Sequence, residues 1–356
     1  MYRQRLACLI AARNLGDTVV VSAFFRRLVR RRLAEKYLVW TRPQLEFLFR
    51  DIPDCDIITS SFPVGTSKNF GGAAALSFLA TAWTIRRRRP TMTIDFTGDV
   101  RERQFARLVG ATQHAHIGWA KGHPFTRLIR NPLGNGRPLI VVPASASNIY
   151  AAYDLFSDTL APYRGPEEAR PPRTRNRPLQ GHSMRVGIHP YASQPSKLWP
   201  EENWRKVVAT LLAQGTRVVA FSAPPERSSL NKLLGELSGR VDLVTGTLEE
   251  FFNSVGSVDI LVGLDSVAVH IAHTQGVRAI TINGGTPPEL WATPSGRMLA
   301  DSGGCTHYPC FNVAPCRGRS YENVCVRSIS PSAVLAAIQA IYAELSPPHI
   351  ACDENP

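Results

Sequence analysis

The sequence predicts an α/β chain of two Rossmann-like halves facing each other across a cleft, and three observations carry that reading. Apolar strand-like runs alternate with amphipathic helical runs, most plainly after residue 183. At 356 residues the chain is too long for one ordinary core. The segment GPEEARPPRTRNRPLQGHS, residues 165–183, is dense in Pro and Arg, has no hydrophobic period and reads as a linker. The expected division is therefore 1–165, a linker at 166–183, a second half at 184–330 and a final helix, SPSAVLAAIQAIYAEL, over about 331–346.

In the second half each element has a local reason. RVGIHPYA is a strand, and PEENWRKVVATLLAQG is a helix with Pro200 in its first turn and Gly215 at its end. RVVAFSA, VDLVTG, DILVGL and VRAITING read as further strands, separated by the helices PERSSLNKLLGELSG, TLEEFFNSVGSV and SVAVHIAHTQG. Such a βαβ series requires a parallel sheet covered on both faces. Before the linker the pattern is noisier. LACLIAA and TMTIDFTG are strands, TVVVSAFFRRLVRRRLAEK is one helix with a basic outer face, and RERQFARLVGA is another helix. GGAAALSFLATAWTI, residues 71–85, is too short and too rich in Gly, Ala, Ser and Thr for a membrane span. It reads as a buried helix whose C-terminal dipole is met by Arg86 to Arg89. Near the start Arg13 interrupts the apolar run too soon for a signal peptide, so a cytoplasmic protein is expected, with room for peripheral contact at the inner membrane face.

Lys and Arg number 41 against 28 Asp and Glu, a net charge of +13 that suits an anionic partner: nucleic acid, membrane surface or phosphorylated substrate. The alternating βαβ pattern and the lack of an aromatic-interleaved basic stripe argue against a nucleic-acid-binding metalloprotein, so no nucleic acid is expected. No dinucleotide or Walker glycine signature occurs.

Ligands of open α/β sheets bind beyond the carboxyl ends of the strands, and three polar clusters stand there. RNLGDTVV offers Asp17 at a helix start. HPYASQPSKLWP offers Ser193, Ser196 and Lys197. GLDSVAVHIAH offers Asp265, Ser266 and His270. Each has a plain alternative: a helix cap for Asp17 or Ser266, a solvated lysine, a core histidine. Taken together they describe transfer from a nucleotide-activated donor. Backbone N–H groups after Asp265 and Ser266 would receive phosphate with Lys197 as a point charge, and Asp17 would accept a proton from the attacking hydroxyl.

Four cysteines, Cys305, Cys310, Cys316 and Cys325, fall within CTHYPCFNVAPCRGRSYENVC. Their C-x4-C, C-x5-C and C-x8-C spacings are wider than a zinc ribbon's. A structural Zn²⁺ or iron site and an ordinary loop of free thiols both remain open, and no catalytic metal is expected. Cys8, Cys55 and Cys352 are scattered and read as core or tail residues.

The blocks RNLGDTVV, DFTGDVRERQFARLVGA, GIHPYASQPSKLWPEENW, GLDSVAVHIAH and INGGTPPELW, in that order, resemble the landmarks of glycosyltransferase family 9, the lipopolysaccharide heptosyltransferases of GT-B fold. The resemblance spans about Leu6 to Leu335 and implies an acceptor-side first half and a nucleotide-sugar-binding second half. It implies Asp17 as general base, Lys197 on donor phosphate or sugar, Asp265 on the donor sugar's hydroxyls and His270 closing that motif. By the same likeness Ser193, Ser266 and Val267 belong to the donor site, Glu226 lies near the nucleotide ribose, and Thr286 lines the donor pocket. Two departures stand out: Val267 replaces a usual glycine, and NGGT replaces FGPT. In the protein-heptosylating branch a comparable cysteine loop is an iron-binding structural finger. The implied function is inverting, metal-independent transfer of heptose from ADP-heptose to a lipopolysaccharide-core-like saccharide. The alternatives are another nucleotide sugar as donor, or a glycolipid or protein as acceptor, the acceptor being anionic if the basic helices belong to its site.

Overall fold

The computed structural model describes residues 4–11, 14–60, 72–127, 129, 137–146, 148–162, 183–311, 313 and 315–345. The expected linker falls almost wholly outside these, as does Cys352. Two compact units result, one of residues 1–170 with 289–292 and one of 171–288 with 293–356.

The first unit's sheet contains β1 (Gln4–Ala11), β2 (Ala34–Thr41), β3 (Cys55–Thr59), β4 (Met92–Asp95), β5 (Gln113–Trp119) and β6 (Ile140–Val142), all parallel, in the order β3-β2-β1-β4-β5-β6. The second contains β7 (Arg185–His189), β8 (Arg217–Ser222), β9 (Asp242–Thr245), β10 (Ile260–Leu264), β11 (Arg278–Ile282) and β12 (Arg297–Leu299), ordered β12-β11-β10-β7-β8-β9 and again parallel. Renumbered within its unit and read from the other edge, the second order is the same 3-2-1-4-5-6 of a dinucleotide-binding sheet. The chain therefore reverses direction across each sheet between its first and fourth strands, β1 and β4 or β7 and β10. A crevice opens there beyond the strand ends.

Helices cover the sheets: α1 (Leu15–Arg30), α2 (Gly72–Arg87), α3 (Val100–Val109) and α4 (Ile149–Leu160) in the first unit, α5 (Glu201–Ala213), α6 (Arg227–Leu234), α7 (Leu248–Val255) and α8 (Val267–Thr274) in the second. Three short or terminal helices follow, α9 (Pro288–Trp291), α10 (Val324–Arg327) and α11 (Pro331–Leu345). Local chemistry sets the ends. Thr247 and Glu250 form a reciprocal capping box on α7, and Gly110 closes α3 in the left-handed region at φ 70°. The second unit's core joins Val186, Ile188, Val262 and Ile280 of the sheet to Trp204, Leu211, Ile338 and Ile341 of the covering helices.

Two expectations are corrected here. The run expected as one helix to Lys36 stops at Arg30, and Ala34–Thr41 is a central strand. Arg32 stands at φ 53° with its N–H bonded to Val29 O at 2.9 Å, while Leu33 N bonds to Leu28 O at 3.2 Å. That is a Schellman stop with arginine where glycine is usual. The second correction concerns α2. It forms as expected but is not buried all round, since Leu76, Leu79 and Trp83 are 70%, 52% and 59% exposed. Only its opposite stripe, with Ala82 and Ile85, packs on the core. Among the described residues no helix is long and apolar enough to cross a membrane.

The turn after β4 depends on one glycine. Gly98 has φ 68°, and a Cβ there would lie 2.0 Å from Ile117 O. Gly98→Ala therefore incurs both the left-handed penalty of about 1–2 kcal/mol and a backbone collision. Gly215→Ala, at φ 77° with nothing within 4 Å, incurs only the first. Urea unfolding of the two variants is expected to rank Gly98→Ala well below Gly215→Ala in stability; equal losses would show that the turn relaxes.

Candidate active site

The second unit's crevice is built by three loops. After β7 the chain makes a short turn, Pro195–Lys197, before α5. Trp199 fixes that turn from below: it is 3% exposed, packs edge-on against Trp204 at 5.1 Å, and donates through Nε1 to Ile329 O at 2.9 Å. The apolar half of KLWPEENW is thus an anchor, and its product is the position of Lys197.

Lys197 Nζ donates to Asp265 Oδ2 at 2.7 Å and to the Asp265 carbonyl at 3.0 Å. Thr286 Oγ1, from the loop after β11, donates to the same Oδ2 at 2.7 Å. Asp265 continues the ladder of β10 through its own N–H to Ile282 O at 3.2 Å and is 5% exposed. Burial alone would raise its pKa, but the Lys197 charge and the hydrogen bonds from Lys197 and Thr286 outweigh it and hold the carboxyl below its ordinary value. The NGGT loop can approach this closely because Gly284 lacks a side chain: a Cβ there would stand 3.3 Å from Ser196 O and 3.6 Å from Lys197 Cα. Asn283 seals the same loop through Nδ2 to Thr286 O at 2.7 Å.

Ser266 is the N-cap residue of α8 in extended conformation, and Val267 is the first helical residue. The Ser266 Oγ is buried and takes no partner among the described residues. His270 lies one turn into α8, and burial pushes its pKa down to about 4 despite the opposing pull of Asp265, so the ring is neutral at pH 7. Ser193 is exposed in the loop ahead of Lys197. Glu226 turns back on its own short helix, its Oε2 accepting from Ala223 N at 2.9 Å. The structure therefore brings Lys197, Asp265, Ser266, His270 and Thr286 together, with Val267 beside them; Ser193 and Glu226 join no such cluster, although Tyr191 Oη of the Ser193 loop donates to Glu226 O at 3.3 Å.

Asp17 belongs to the first unit. Asn14, not Asp17, is the N-cap residue of α1; Asp17 is the third helical residue, 9% exposed, and its Oδ2 accepts from Asn14 Nδ2 at 2.6 Å. A carboxylate in that first turn suits the helix dipole. In the same unit, at the end of β4, stands a residue given no role from sequence, Asp95. It is fully buried; Oδ1 accepts from Thr97 N, Thr97 Oγ1 and Gly98 N at 2.8, 2.9 and 3.0 Å, and Oδ2 has no partner among the described residues. The signal was DFTG itself, an acidic residue closing a strand before a Thr-Gly turn.

Tyr308 and Phe311 of the cysteine loop reach the loop after β11. Asn283 Nδ2 donates to Tyr308 Oη at 3.3 Å, and Phe311 N donates to Gly285 O at 2.7 Å. Cys316 and Cys325 are buried, Cys305 and Cys310 half-buried, and none of the four forms a disulfide. Burial raises the Cys325 thiol's pKa, and Cys310, Cys305 and Cys316 act on it in the same direction. Among the described residues no group of three or more His, Cys, Asp or Glu side chains is arranged to hold a metal ion.

The family model described as glycosyltransferase family 9 (heptosyltransferase) matches residues 146–319. The chain carries a glycosyltransferase family 9 domain. The match includes every second-unit residue considered above from Ser193 to Thr286, with three of the four clustered cysteines, and excludes Asp17, Asp95 and Cys325. No curated protein sequence matches the chain. Among solved structures, a glycosyltransferase family 9 protein from Veillonella parvula is similar at 15% identity and TM-score 0.66, with 96% of this chain and 97% of that one covered. Escherichia coli heptosyltransferase WaaC with ADP-2-deoxy-2-fluoro heptose is similar at 15% identity and TM-score 0.65, over 94% of this chain and 99% of that one. The iron-containing dodecameric glycosyltransferase TibC of enterotoxigenic E. coli is similar at 14% identity and TM-score 0.56, over 97% of this chain and 77% of that one. The fold is thus the GT-B type, two Rossmann-like α/β units.

Asp95 supplies a pH test. Burial raises its pKa from 3.8 to about 6, so folding takes up a proton between those values. Its contribution is full below the unfolded value and is lost as the pH rises through about 6. Relative to Asp95→Asn, the parent is expected to be more stable at pH 5 than at pH 7.5 by about 1 kcal/mol, the rest of a total of about 3 kcal/mol, at 1.36 kcal/mol per unit, being lost already between the unfolded value and pH 5. A pH-independent difference in urea unfolding would mean that Asp95 titrates normally.

Proposed function

We propose that this glycosyltransferase moves a heptose from ADP-heptose to an anionic saccharide acceptor resembling a lipopolysaccharide core, with inversion at the anomeric carbon. The observation that carries the reading is the Lys197–Asp265–Thr286 cluster, set at the point where the second sheet reverses and lying inside the matched family domain. A cation and a carboxylate held this tightly suit a donor with a diphosphate at one end and a polyhydroxylated sugar at the other.

In this mechanism Asp17 accepts the proton of the acceptor hydroxyl. The oxygen attacks the anomeric carbon as the bond to the nucleoside diphosphate breaks on the opposite face, and the diphosphate leaves with the electron pair. Lys197 and the backbone N–H groups beginning at Val267 take up the charge that develops on it. Ser266 Oγ adds a hydrogen bond to a phosphate oxygen. Asp265 accepts from the sugar hydroxyls, with Thr286 and neutral His270 fixing its orientation. Ser193 and Glu226 serve the nucleotide end of the donor. The four cysteines, Cys305, Cys310, Cys316 and Cys325, have the ligand chemistry for a structural Zn²⁺ or iron and would have to close around it from the arrangement described, which does not itself hold an ion.

Donor and base are tested together. ADP-heptose is expected to raise the melting temperature more than UDP- or GDP-sugars do, because a true donor stabilises by mass action. Asp17→Asn is expected to lower kcat by roughly 10²–10⁴ while leaving the donor Kd nearly unchanged. Turnover close to the parent's in that variant would reduce Asp17 to a helix-turn carboxylate.

The metal has its own test. Cys325→Ser is expected to release about one equivalent of Zn or Fe and to lower the melting temperature, since binding energy at such a site is folding energy. Cys8→Ser and Cys55→Ser are expected to leave metal content unchanged. Purified protein without stoichiometric metal, its four thiols titrating freely, would make this an ordinary loop.

A further inference from the structure

The first unit presents two basic helices, and the structure treats them differently. On α1, Arg26 forms a two-pronged pair with Asp51, Arg27 bonds to Asp154, and Arg31 bonds to Asp158 at 2.7 Å and to Ala161 O at 2.7 Å. Those charges are spent on holding α1 to its neighbours. On α2 the outcome is the reverse. The helix contains no Asp, Glu or Lys, and it ends in Arg86, Arg87, Arg88 and Arg89, all exposed. Arg88 pairs with Asp56 at 3.2 Å, Arg86 reaches Leu108 O at 3.2 Å, and Arg87 lies over the Trp83 ring at 4.6 Å.

The same helix face is apolar along its length. Leu76, Leu79 and Trp83 follow each other at spacings of three and four and so form one stripe. Leu108, 42% exposed on the neighbouring α3, extends it on the side where Arg86 touches it, with exposed Arg107 adjacent in sequence. The opposite stripe of α2 is already buried: Phe78 packs against Trp40 and Phe105 at 5.8 and 4.9 Å.

We propose that this face of α2 and α3 docks the enzyme on a bilayer surface rich in anionic lipid. Leu76, Leu79, Trp83 and Leu108 would sit at the headgroup boundary, and Arg86, Arg87, Arg89 and Arg107 would engage the lipid phosphates. Charge complementarity selects the occupant. On this arginine-rich rim Arg88 pairs with Asp56. An indole stacked under a guanidinium suits the interface, where tryptophan prefers the headgroup level and arginine can reach phosphate while its stem covers apolar surface. An apolar stripe bordered by cations on a helix too short to span is the pattern of a surface-lying element, and several basic groups together attract an anionic leaflet. The proposal does not rest on the transfer reaction, since α2 contributes no residue to the proposed chemistry.

The test is sedimentation of the full-length protein with vesicles of phosphatidylcholine and phosphatidylglycerol in equal parts, and with phosphatidylcholine alone. Binding is expected to the mixed vesicles and to fall with added salt. It is expected to drop at least about tenfold both in a variant carrying Leu76→Ser, Leu79→Ser and Trp83→Ser and in one carrying Arg87→Gln and Arg89→Gln. Unchanged circular dichroism and ADP binding would show both variants folded. Failure of the parent to bind, equal binding to phosphatidylcholine alone, or undiminished binding in either variant would overturn the proposal. So would a dimer in gel filtration that the Ser variant dissociates while vesicle binding is absent, because the occupant would then be a second copy of the chain.

Discussion

An aspartate that is 5% exposed stays ionised only where a cation and hydrogen-bond donors replace the water it has lost, and Asp265 has Lys197 and Thr286 for that purpose. The three residues come from the loops after β10, β7 and β11, so a single carboxylate oxygen registers three strand ends against one another. Losing one partner of such a buried pair typically costs about 3–5 kcal/mol, which makes the cluster a structural fastening as well as a candidate binding site. Much of the surrounding sequence serves it. Trp199 and Trp204 seat the turn that carries Lys197, Gly284 leaves room beside that turn, and Asn283 closes the loop that presents Thr286.

The second unit was more legible because its main boundaries carry recognisable signals: Pro200 at a helix start, Gly215 at its end, a Thr247–Glu250 capping box, and β-branched strands between them; the short β12, α9 and α10 carry none and were not expected. In the first unit the decisive signals are absent. Helix α1 ends through Arg32 in a left-handed conformation that glycine normally marks, so the helix-forming residues Leu33 to Lys36 pointed the wrong way and β2 was hidden behind them. The strands β3 and β5 carry Asp56, His114 and His116, whose polarity masks their β character, although His114 and His116 are stacked ring on ring at 4.7 Å. At the site, the cluster of Lys197, Asp265 and Thr286 could be named from motifs, but the hydrogen bonds among them could not. Asp95 was visible as a residue and invisible as a buried acid, because burial is a property of packing, which no single motif encodes.

Both units repeat one strand order, yet they place opposite chemistry at the reversal. The first offers Asp17 and Asp95, one in a helix's first turn with Asn14 beside it and one buried with an unpartnered oxygen. The second offers an ammonium, a carboxylate already neutralised by it, and a helix N-terminus. On the proposed function, the common fold supplies position alone, and the side chains divide the labour between proton acceptance and charge neutralisation.

The cysteine loop is fastened to the same strand ends by contacts that involve no cysteine. Phe311 N meets Gly285 O, Tyr308 Oη meets Asn283, Asn323 Nδ2 meets Pro195 O, and Trp199 reaches Ile329 just beyond the loop. Thr286 is next to Gly285, and Lys197 is two residues from Pro195. Oxidants and thiol-modifying reagents thus have a route to the Lys197–Asp265–Thr286 cluster without touching it. On the proposed function, an enzyme prepared without reductant would mimic one carrying a competitive donor analogue, its apparent affinity for the donor falling while proton acceptance at Asp17 stayed intact.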